Sequence, residues 1–339
     1  MANIMITKKC NLACPYCFAN EFVNAEKSEN MDITIENLKK ILDFIVGDGS
    51  VKSVGLIGGE PTCHKNFDDI LDILIDDVRV ENVTVYTNGV LLKYHIAKLN
   101  HPKIHLLVNS NDLSYNEILQ NQFLKSLDNV FCVMEDRTIL GANYYKPDYD
   151  YGYILRLVEK YHCKKLRISV SVPNQKDYNY QPLEYFRHIK PFLFKFFQEL
   201  KVRGVLPYLD CNIFPSCLVT AEDMLLLDEF RAENPLSILK NRPVGCVPVI
   251  DIMPDFTAVR CFGLSEYTKV NINEFASISD LRNYYLRSFD AYAVNTFHSE
   301  QCEDCYKYKT MKCFGGCLIY KIDKIIGIKN MVDKWNMNY

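Results

Sequence analysis

Residues 10–17 read Cys10-Asn-Leu-Ala-Cys14-Pro-Tyr-Cys17 and place three thiols on one short segment. Cysteine makes up 14 of the 339 residues, so a triplet this dense is not expected from composition alone. The apolar segment Ile4–Thr7 before it predicts a strand, and the residues after it predict a loop or short helix. The three thiols are therefore expected on a loop at a strand end, where they can converge on one metal centre.

Three converging thiolates can hold an iron–sulfur cluster or zinc. Structural zinc takes four ligands, and no fourth cysteine or histidine lies close to the triplet in sequence. A cubane cluster has four irons, so three thiolates leave one iron open for chemistry. A structural zinc site with a distant fourth ligand is the alternative.

The C-x3-C-x2-C spacing, with Tyr16 before the last cysteine, resembles the signature of the radical S-adenosylmethionine (SAM) superfamily. The resemblance implies that Cys10, Cys14 and Cys17 ligate a [4Fe–4S] cluster whose open iron chelates the amino and carboxylate groups of SAM. It also implies that an electron from the cluster cleaves SAM to a 5′-deoxyadenosyl radical, which abstracts a hydrogen atom from the substrate. A radical SAM oxidoreductase or peptide-modifying enzyme is the expected class.

Composition excludes several other classes. The net charge is −3, which gives no electrostatic basis for binding nucleic acid or an anionic membrane. No apolar run reaches the roughly 18 residues of a membrane span, and no signal peptide precedes the first strand. We expect a cytoplasmic protein without nucleic-acid or membrane partners, in which clustered cysteines bind metal and do not form disulfides.

Strands and helices alternate up to about residue 172, which predicts parallel βα units and, by resemblance, a partial (β/α)6 TIM-like barrel. The predicted strands are 54–57, 83–87, 104–108, 130–134 and 166–170, with a short helix at 115–126 and Cys132 as a core residue of the fifth strand. The predicted domains are a barrel at 1–205, a bridging segment at 206–240 and a small cysteine-rich domain at 241–339. Sites in such folds lie at the carboxyl ends of the strands.

A second motif follows the second strand, at Gly58-Gly59-Glu60-Pro61. Two glycines at a strand end let the backbone approach a ligand closely, although a tight turn would need them too. The motif resembles the GGEP motif of radical SAM proteins, in which the backbone and the glutamate hold the amino group of SAM. By the same resemblance Tyr16 lies near the adenine, and Asn88 and Asn109 at the ends of strands three and four are candidate SAM contacts. Turn residues are the alternative for all three, and Ser110 is the alternative to Asn109.

Cysteines recur near the C-terminus, beginning with Cys246 and Cys261 at the two ends of a predicted hairpin. A C-x2-C-x7-C-x3-C run follows, formed by Cys302, Cys305, Cys313 and Cys317. The six cysteines resemble the SPASM/twitch extension of radical SAM proteins, which carries one or two auxiliary [4Fe–4S] clusters. The resemblance implies one cluster on Cys246, Cys261 and Cys317 and a second on Cys302, Cys305 and Cys313.

The sequence departs from the SPASM pattern in three places. The gap from Cys305 to Cys313 is seven residues instead of five, Phe256 stands where a glycine is usual, and no cysteine follows Cys317. The second cluster would therefore take Asp333, Cys211 or Cys217 as its fourth ligand. A single twitch-type cluster and a structural zinc clip are the alternatives for the module. Cys211 and Cys217 are also candidate catalytic residues, as donors of a hydrogen atom to a substrate radical.

Members with this extension mostly modify ribosomally made peptides or protein side chains, by crosslinking, epimerisation or oxidation. That substrate class is our expectation, with an external flavodoxin- or ferredoxin-type reductant. Because the first strand begins near residue 3, a leader peptide would need another docking site or a separate leader-binding partner. The alternatives are dehydrogenation or rearrangement of a small molecule, such as a sugar or antibiotic precursor, and a non-enzymatic iron–sulfur electron carrier.

Overall fold

The computed structural model describes residues 2–17, 19, 23, 32–146, 148–171, 182–209, 215–226, 246, 248–293, 296, 300–311, 313 and 315–336. The chain forms two compact units that interleave in sequence. The first unit comprises Met1–Ile139 and Pro248–Tyr285, and the second comprises Leu140–Val247 and Leu286–Tyr339.

The strands of the described residues are β1 Ala2–Thr7, β2 Ser53–Gly58, β3 Asn82–Thr87, β4 Ile104–Asn109, β5 Thr138–Tyr144, β6 Lys165–Val170, β7 Leu206–Leu209, β8 Asp251–Ile252, β9 Thr257–Val259 and β10 Val270–Asn271. The helices are α1 Ile35–Val46, α2 Phe67–Asp76, α3 Ile96–Leu99, α4 Glu117–Met134, α5 Gly152–Lys160, α6 Pro182–Val202, α7 Ser265–Thr268, α8 Ile278–Tyr285, α9 Ala291–Ala293, α10 Tyr306–Lys309 and α11 Ile322–Asn336.

The sheet of the first unit runs in the order β10-β9-β8-β1-β2-β3-β4. Strands β1 to β4 are parallel, and all six residues of β1 are buried, as expected for a strand covered on both faces. Helix α1 begins where the Thr34 hydroxyl accepts a hydrogen bond from the Asn37 N–H, and it buries Leu38, Ile41, Leu42 and Ile45. The carboxyl ends of β1 to β4 therefore meet at one edge.

The predicted hairpin is confirmed in β8 and β9, which pair antiparallel. Met253 N–H donates to the Thr257 carbonyl across the turn, at 2.7 Å. Phe256 in this turn has a φ of 67°, which is the left-handed region that favours glycine. The position where relatives are expected to carry glycine thus keeps the glycine-type backbone although its side chain is aromatic.

The second unit contains most of β5 together with β6 and β7, again as parallel neighbours. Helices α5 and α6 connect these strands in sequence. Parallel strands joined through helices in both units confirm the predicted α/β class.

One sequence prediction was wrong: residues 130–134 are not a strand. Helix α4 runs without interruption from Glu117 to Met134, and the fifth strand is Thr138–Tyr144. Phe123, Leu127, Val130 and Met134 are buried at helical spacing, so the apolar residues at 130–134 complete a helical face. Cys132 consequently lies exposed on this helix and is not a core residue. Within the described residues, no helix is long and apolar enough to cross a lipid bilayer.

Candidate metal centres

The cysteine triplet occupies the loop that leaves the carboxyl end of β1. Cys17 N–H donates to the Cys14 carbonyl at 3.1 Å, and Leu12 N–H donates to the Cys10 sulfur at 3.4 Å. Cys10 and Cys17 pack against a buried cluster formed by Met5, Ala19, Val23, Met253, Val259 and Phe262. Because burial disfavours the thiolate, the pKa of each of the three thiols is raised, that of Cys10 to about 11.

The glycine motif is hydrogen-bonded directly to the backbone that enters this loop. Gly59 N–H donates to the Thr7 carbonyl at 2.9 Å, and Glu60 N–H donates to the Lys9 carbonyl at 2.7 Å. A Cβ on Gly58 would lie 2.6 Å from the Thr7 oxygen, and one on Gly59 would lie 2.3 Å from the Lys9 oxygen. Only glycine allows this close approach, so both glycines keep the motif against the cysteine loop.

The Glu60 side chain is buried, with 1% of its surface exposed, and it accepts hydrogen bonds from several residues of the site. Its Oε1 accepts hydrogen bonds from Thr62 N–H at 3.2 Å, Thr62 Oγ1 at 2.6 Å and Thr87 Oγ1 at 2.7 Å, and its Oε2 accepts one from Asn88 N–H at 2.7 Å. Burial raises the pKa of Glu60, and these hydrogen bonds oppose the increase. The carboxylate therefore ties the ends of β2 and β3 together, and Pro61 beside it is also buried.

The other predicted SAM contacts lie on the same edge of the sheet. Asn88 follows β3, and its Nδ2 donates to Asn11 Oδ1 inside the cysteine loop at 2.7 Å. Asn109 ends β4, half-buried, whereas the Ser110 hydroxyl points back to the Val108 carbonyl at 3.2 Å. Tyr16 is half-buried and its side chain hydrogen-bonds with Cys14, which lowers the pKa of that thiol against the effect of burial.

The structure also shows residues of this site that sequence reasoning missed. Asn11 accepts a hydrogen bond from Asn88, and Thr87 donates one to Glu60. Cys63 lies close enough to Cys10 and Glu60 for their charges to affect one another. Asn11 lies within the cysteine triplet, Cys63 two residues after Pro61 and Thr87 next to Asn88, and this nearness in sequence was the signal available. The three partly buried thiols on one loop fit the [4Fe–4S] cluster that the triplet implies, and the glycine motif beside them fits the implied SAM site.

A second group of thiols converges in the second unit. Cys302, Cys305 and Cys313 line one small cavity together with Cys217. Helix α10 takes up four of the seven residues between Cys305 and Cys313, and Cys313 N–H donates back to the Lys307 carbonyl at 3.0 Å. The longer gap is therefore compatible with three thiols at one place, because a helical turn shortens the path between Cys305 and Cys313.

A buried lysine accompanies these thiols. Lys321 is 2% exposed, and its Nζ donates to the carbonyls of Ala293 and Thr296 at 2.9 Å each. Burial lowers the pKa of Lys321 to about 8, while the negative charges of Cys313, Cys302, Cys246 and Cys317 oppose that decrease. A buried cation among these four thiols fits the negative charge of a thiolate-ligated iron–sulfur cluster.

Several predictions on this module stay predictions. Cys211 lies outside the described residues, as does the side chain of Asp333. Cys261 directly follows the hairpin, half-buried, and its sharing of a cluster with Cys246 and Cys317 is not tested. Among the described residues, no three Cys, His, Asp or Glu side chains are placed to hold a single metal ion.

The comparison with protein families bears on the first of these sites. Residues 4–121 match the sequence profile of the radical SAM superfamily. This segment is a radical SAM domain. The matched segment contains the cysteine triplet, the glycine motif, Asn88 and Asn109. The cofactors implied by this match are a [4Fe–4S] cluster and SAM.

Curated relatives match this chain over short stretches. A "S-adenosylmethionine-dependent nucleotide dehydratase" of Selenomonas ruminantium is 34% identical over 90 residues, which are 26% of this chain and 30% of the relative. A "GTP 3′,8-cyclase" of Staphylococcus haemolyticus is 30% identical over 122 residues, which are 34% of this chain and 35% of the relative. The matches span about a third of each relative.

Solved structures resemble the chain over nearly its whole length. SuiB of Streptococcus suis bound to SAM superposes with a TM-score of 0.61 and 19% identity, over 94% of this chain and 72% of SuiB. The anSMEcpe structure with bound SAM superposes with a TM-score of 0.66 and 15% identity, over 98% of this chain and 99% of anSMEcpe. At this identity the likeness shows a shared fold, that of a TIM-like partial barrel followed by a cysteine-rich C-terminal region.

Proposed function

We propose that the protein is a radical SAM enzyme that modifies a peptide or protein side chain. The observation that carries the substrate class is the fold match to anSMEcpe, which has been solved with the Kp18Cys peptide and covers 97% of this chain. SuiB, the other extended match, has been solved with its precursor peptide SuiA. The two fold matches cover 94% and 97% of this chain, whereas the curated relatives match 26% and 34% of it.

Different residues of the radical SAM domain would hold the cluster and form the SAM site. Cys10, Cys14 and Cys17 would hold the [4Fe–4S] cluster, which supplies the electron for SAM cleavage when bound. Gly58 and Gly59 keep the glycine motif against the cysteine loop, since a side chain at either position would meet the backbone of Thr7 or Lys9. Glu60 acts as a positioning residue, because its carboxylate is engaged by Thr62, Thr87 and Asn88.

The predicted partners form part of the proposal. A substrate radical left by hydrogen abstraction must lose or gain one electron to become a stable product. The auxiliary cysteines of the second unit would hold one or two clusters that relay this electron. An external flavodoxin- or ferredoxin-type protein would supply the first electron, and a separate protein could present a leader peptide.

A small-molecule substrate is the second candidate function. The named activities of the curated relatives, on GTP and on a nucleotide, support it. Those matches cover 26% and 34% of this chain, whereas the fold matches to the peptide-bound structures cover 94% and 97% of it. The peptide class is therefore the better supported of the two.

The decisive experiment is anaerobic incubation of the reconstituted protein with SAM and dithionite. We expect 5′-deoxyadenosine to form, and the Cys14→Ala variant to form none, as measured by liquid chromatography. The absence of 5′-deoxyadenosine with the fully loaded protein would leave only an electron carrier. Iron counting separates the auxiliary options, because two, one or no auxiliary clusters give about twelve, eight or four irons per chain.

Substrate class is tested on the same preparation. A library of short peptides rich in Cys, Ser and Thr and a set of nucleoside triphosphates are each supplied, and stimulation of SAM cleavage is measured. Peptide-dependent mass changes of the substrate are the expected result. Stimulation by a nucleotide alone would overturn the peptide class while leaving the radical SAM chemistry in place.

A further inference from the structure

Four cysteines line a single cavity of the second unit, and one of them is distant in sequence. Cys302, Cys305 and Cys313 come from the C-terminal run, whereas Cys217 comes from the one-turn helix Ser216–Leu218. Cys217 precedes Cys302 by 85 positions, so its place in the cavity results from the fold and not from local spacing.

The segment that carries Cys217 lies beside the C-terminal run. Cys217, Cys305, Cys313 and Lys307 all line the same cavity, where the charges of the other three act on the Cys217 thiol. Leu218 N–H donates to the Pro215 carbonyl at 3.0 Å, which keeps the Cys217 backbone in a tight turn. Pro215 itself lines the same cavity.

Two glycines that line the same cavity are suited to a cluster. Gly315 and Gly316 both have left-handed backbones, with φ of 71° and 79°. Gly315 N–H donates to the Cys313 sulfur at 3.4 Å. Hydrogen bonds from backbone N–H groups to ligand sulfurs are one of the means by which proteins set the potential of an iron–sulfur cluster.

We infer that Cys217 is the fourth thiolate ligand of the auxiliary cluster held by Cys302, Cys305 and Cys313. This inference rests on the auxiliary cluster of the proposed function. A cubane cluster takes four thiolates, one for each iron, and the cavity supplies four thiols. The cluster then has no open iron, so it transfers electrons and does not bind the substrate. Cys217, as a ligand, is not the hydrogen-atom donor.

The first test uses the accessibility of the thiols. Cys217 and Cys132 are both exposed. Anaerobically reconstituted protein and protein stripped of iron by a chelator are each treated with iodoacetamide, and alkylated cysteines are located by peptide mass spectrometry. We expect at least tenfold protection of Cys217 by reconstitution, and equal labelling of Cys132 in both samples. Equal labelling of Cys217 in both samples would overturn the inference.

The second test measures the cluster itself. In full-length protein carrying Cys10→Ala, Cys14→Ala and Cys17→Ala, iron, sulfide and the reduced EPR spectrum are compared with and without Cys217→Ala. We expect loss of one to about four irons per chain and a changed or missing EPR signal. The Cys132→Ala control should keep both unchanged. A Cys217→Ala protein with the iron content and spectrum of its parent would contradict the assignment.

A further variant separates ligation from misfolding. Cys217→Ser retains an oxygen that can bind iron, so we expect it to keep the iron with a shifted EPR spectrum. Serine and alanine variants with identical, reduced iron content would argue for a folding defect and against ligation. Formation of 5′-deoxyadenosine by the unmodified protein tests the radical SAM chemistry of the proposed function separately, because that reaction uses the N-terminal cluster and SAM site and not the auxiliary cluster.

Discussion

Asp251 is a buried residue whose ionisation should affect stability. It is buried on β8, which pairs with β1, and its Oδ1 accepts a hydrogen bond from Asn3 Nδ2 at 2.7 Å. Burial raises its pKa from 3.8 to about 7, against the hydrogen bonds from Asn3 and the Phe262 backbone. Within the described residues, Asn3 Oδ1 is buried without a hydrogen-bond partner. Between about pH 4 and 7 the folded protein therefore holds a proton here that the unfolded chain has lost.

We predict that Asp251→Asn flattens the dependence of stability on pH. Between about pH 4 and 7 the folded state binds the extra proton, so the free energy of unfolding falls as pH rises, by up to about 1.4 kcal/mol per unit. Asparagine has no proton to lose, and its amide can donate to Asn3 Oδ1. Anaerobic urea unfolding at a series of pH values measures this. The exposed Asp255→Asn is the matched control, and equal pH profiles for Asp251→Asn and the parent would refute the prediction.

Phe256 is a second residue of interest, because it has a backbone conformation that glycine usually adopts. Its φ of 67° is one that a side chain disfavours by roughly 1–2 kcal/mol. The backbone bonds across the turn, Phe256 N–H to Met253 carbonyl at 3.1 Å and Ile272 N–H to Phe256 carbonyl at 2.9 Å, retain it. The turn is thus determined by its pairing with β8, β9 and the segment after β10.

At the scale of elements, the cysteine loop depends on the turn after β2. The ladder between β1 and β2 continues past both strands, because Gly59 and Glu60 bond to Thr7 and Lys9. Thr7 and Lys9 also bind the carboxylate of Asp32, at 2.6 Å each. The loop that carries the triplet is therefore held on one side by the glycine motif and at its entrance by Asp32.

We predict that Gly59→Ala disables the SAM cluster without unfolding the protein. The new methyl group would lie 2.3 Å from the Lys9 carbonyl oxygen and 3.0 Å from Cys10 Cβ, so the loop must move away. The expected result is at least a tenfold lower rate of 5′-deoxyadenosine formation and a loss of about four irons per chain. Gly327→Ala in α11 is the control, because a Cβ there meets nothing within 4 Å. A Gly59→Ala protein with full iron and full SAM cleavage would show that the close approach is dispensable.

At the scale of the whole molecule, SAM cleavage and product formation should be separable. All the residues that would hold SAM and its cluster lie in the first unit, and the cavity cysteines lie in the second. Changing Cys246 and Cys261 together to alanine should abolish the modified product while 5′-deoxyadenosine still forms. The two yields are compared by mass spectrometry with Cys132→Ala as the control. Full product from the double variant would exclude a role for this pair in catalysis.

The sequence was sufficient where function depends on local spacing. The triplet, the glycine motif and the C-terminal run are each short enough that covalent geometry alone brings their members together. The strands β1 to β4 and β6 were predicted because an apolar strand beside an amphipathic helix gives a strong pattern. At residues 130–134 the same reasoning failed, because β-branched and aromatic residues favour a strand locally while the helical face of α4 continues through them.

Contacts between residues distant in sequence were decided by the tertiary structure alone. The sequence determined that three thiolates and two glycines would stand at adjacent strand ends. It did not determine that Glu60 would be occupied by Thr87 and Asn88, that Lys321 would be buried near four thiols, or that Cys217 would share the cavity of Cys302, Cys305 and Cys313. Such contacts arise from the packing of whole elements, and packing depends on all the residues that bury each surface together.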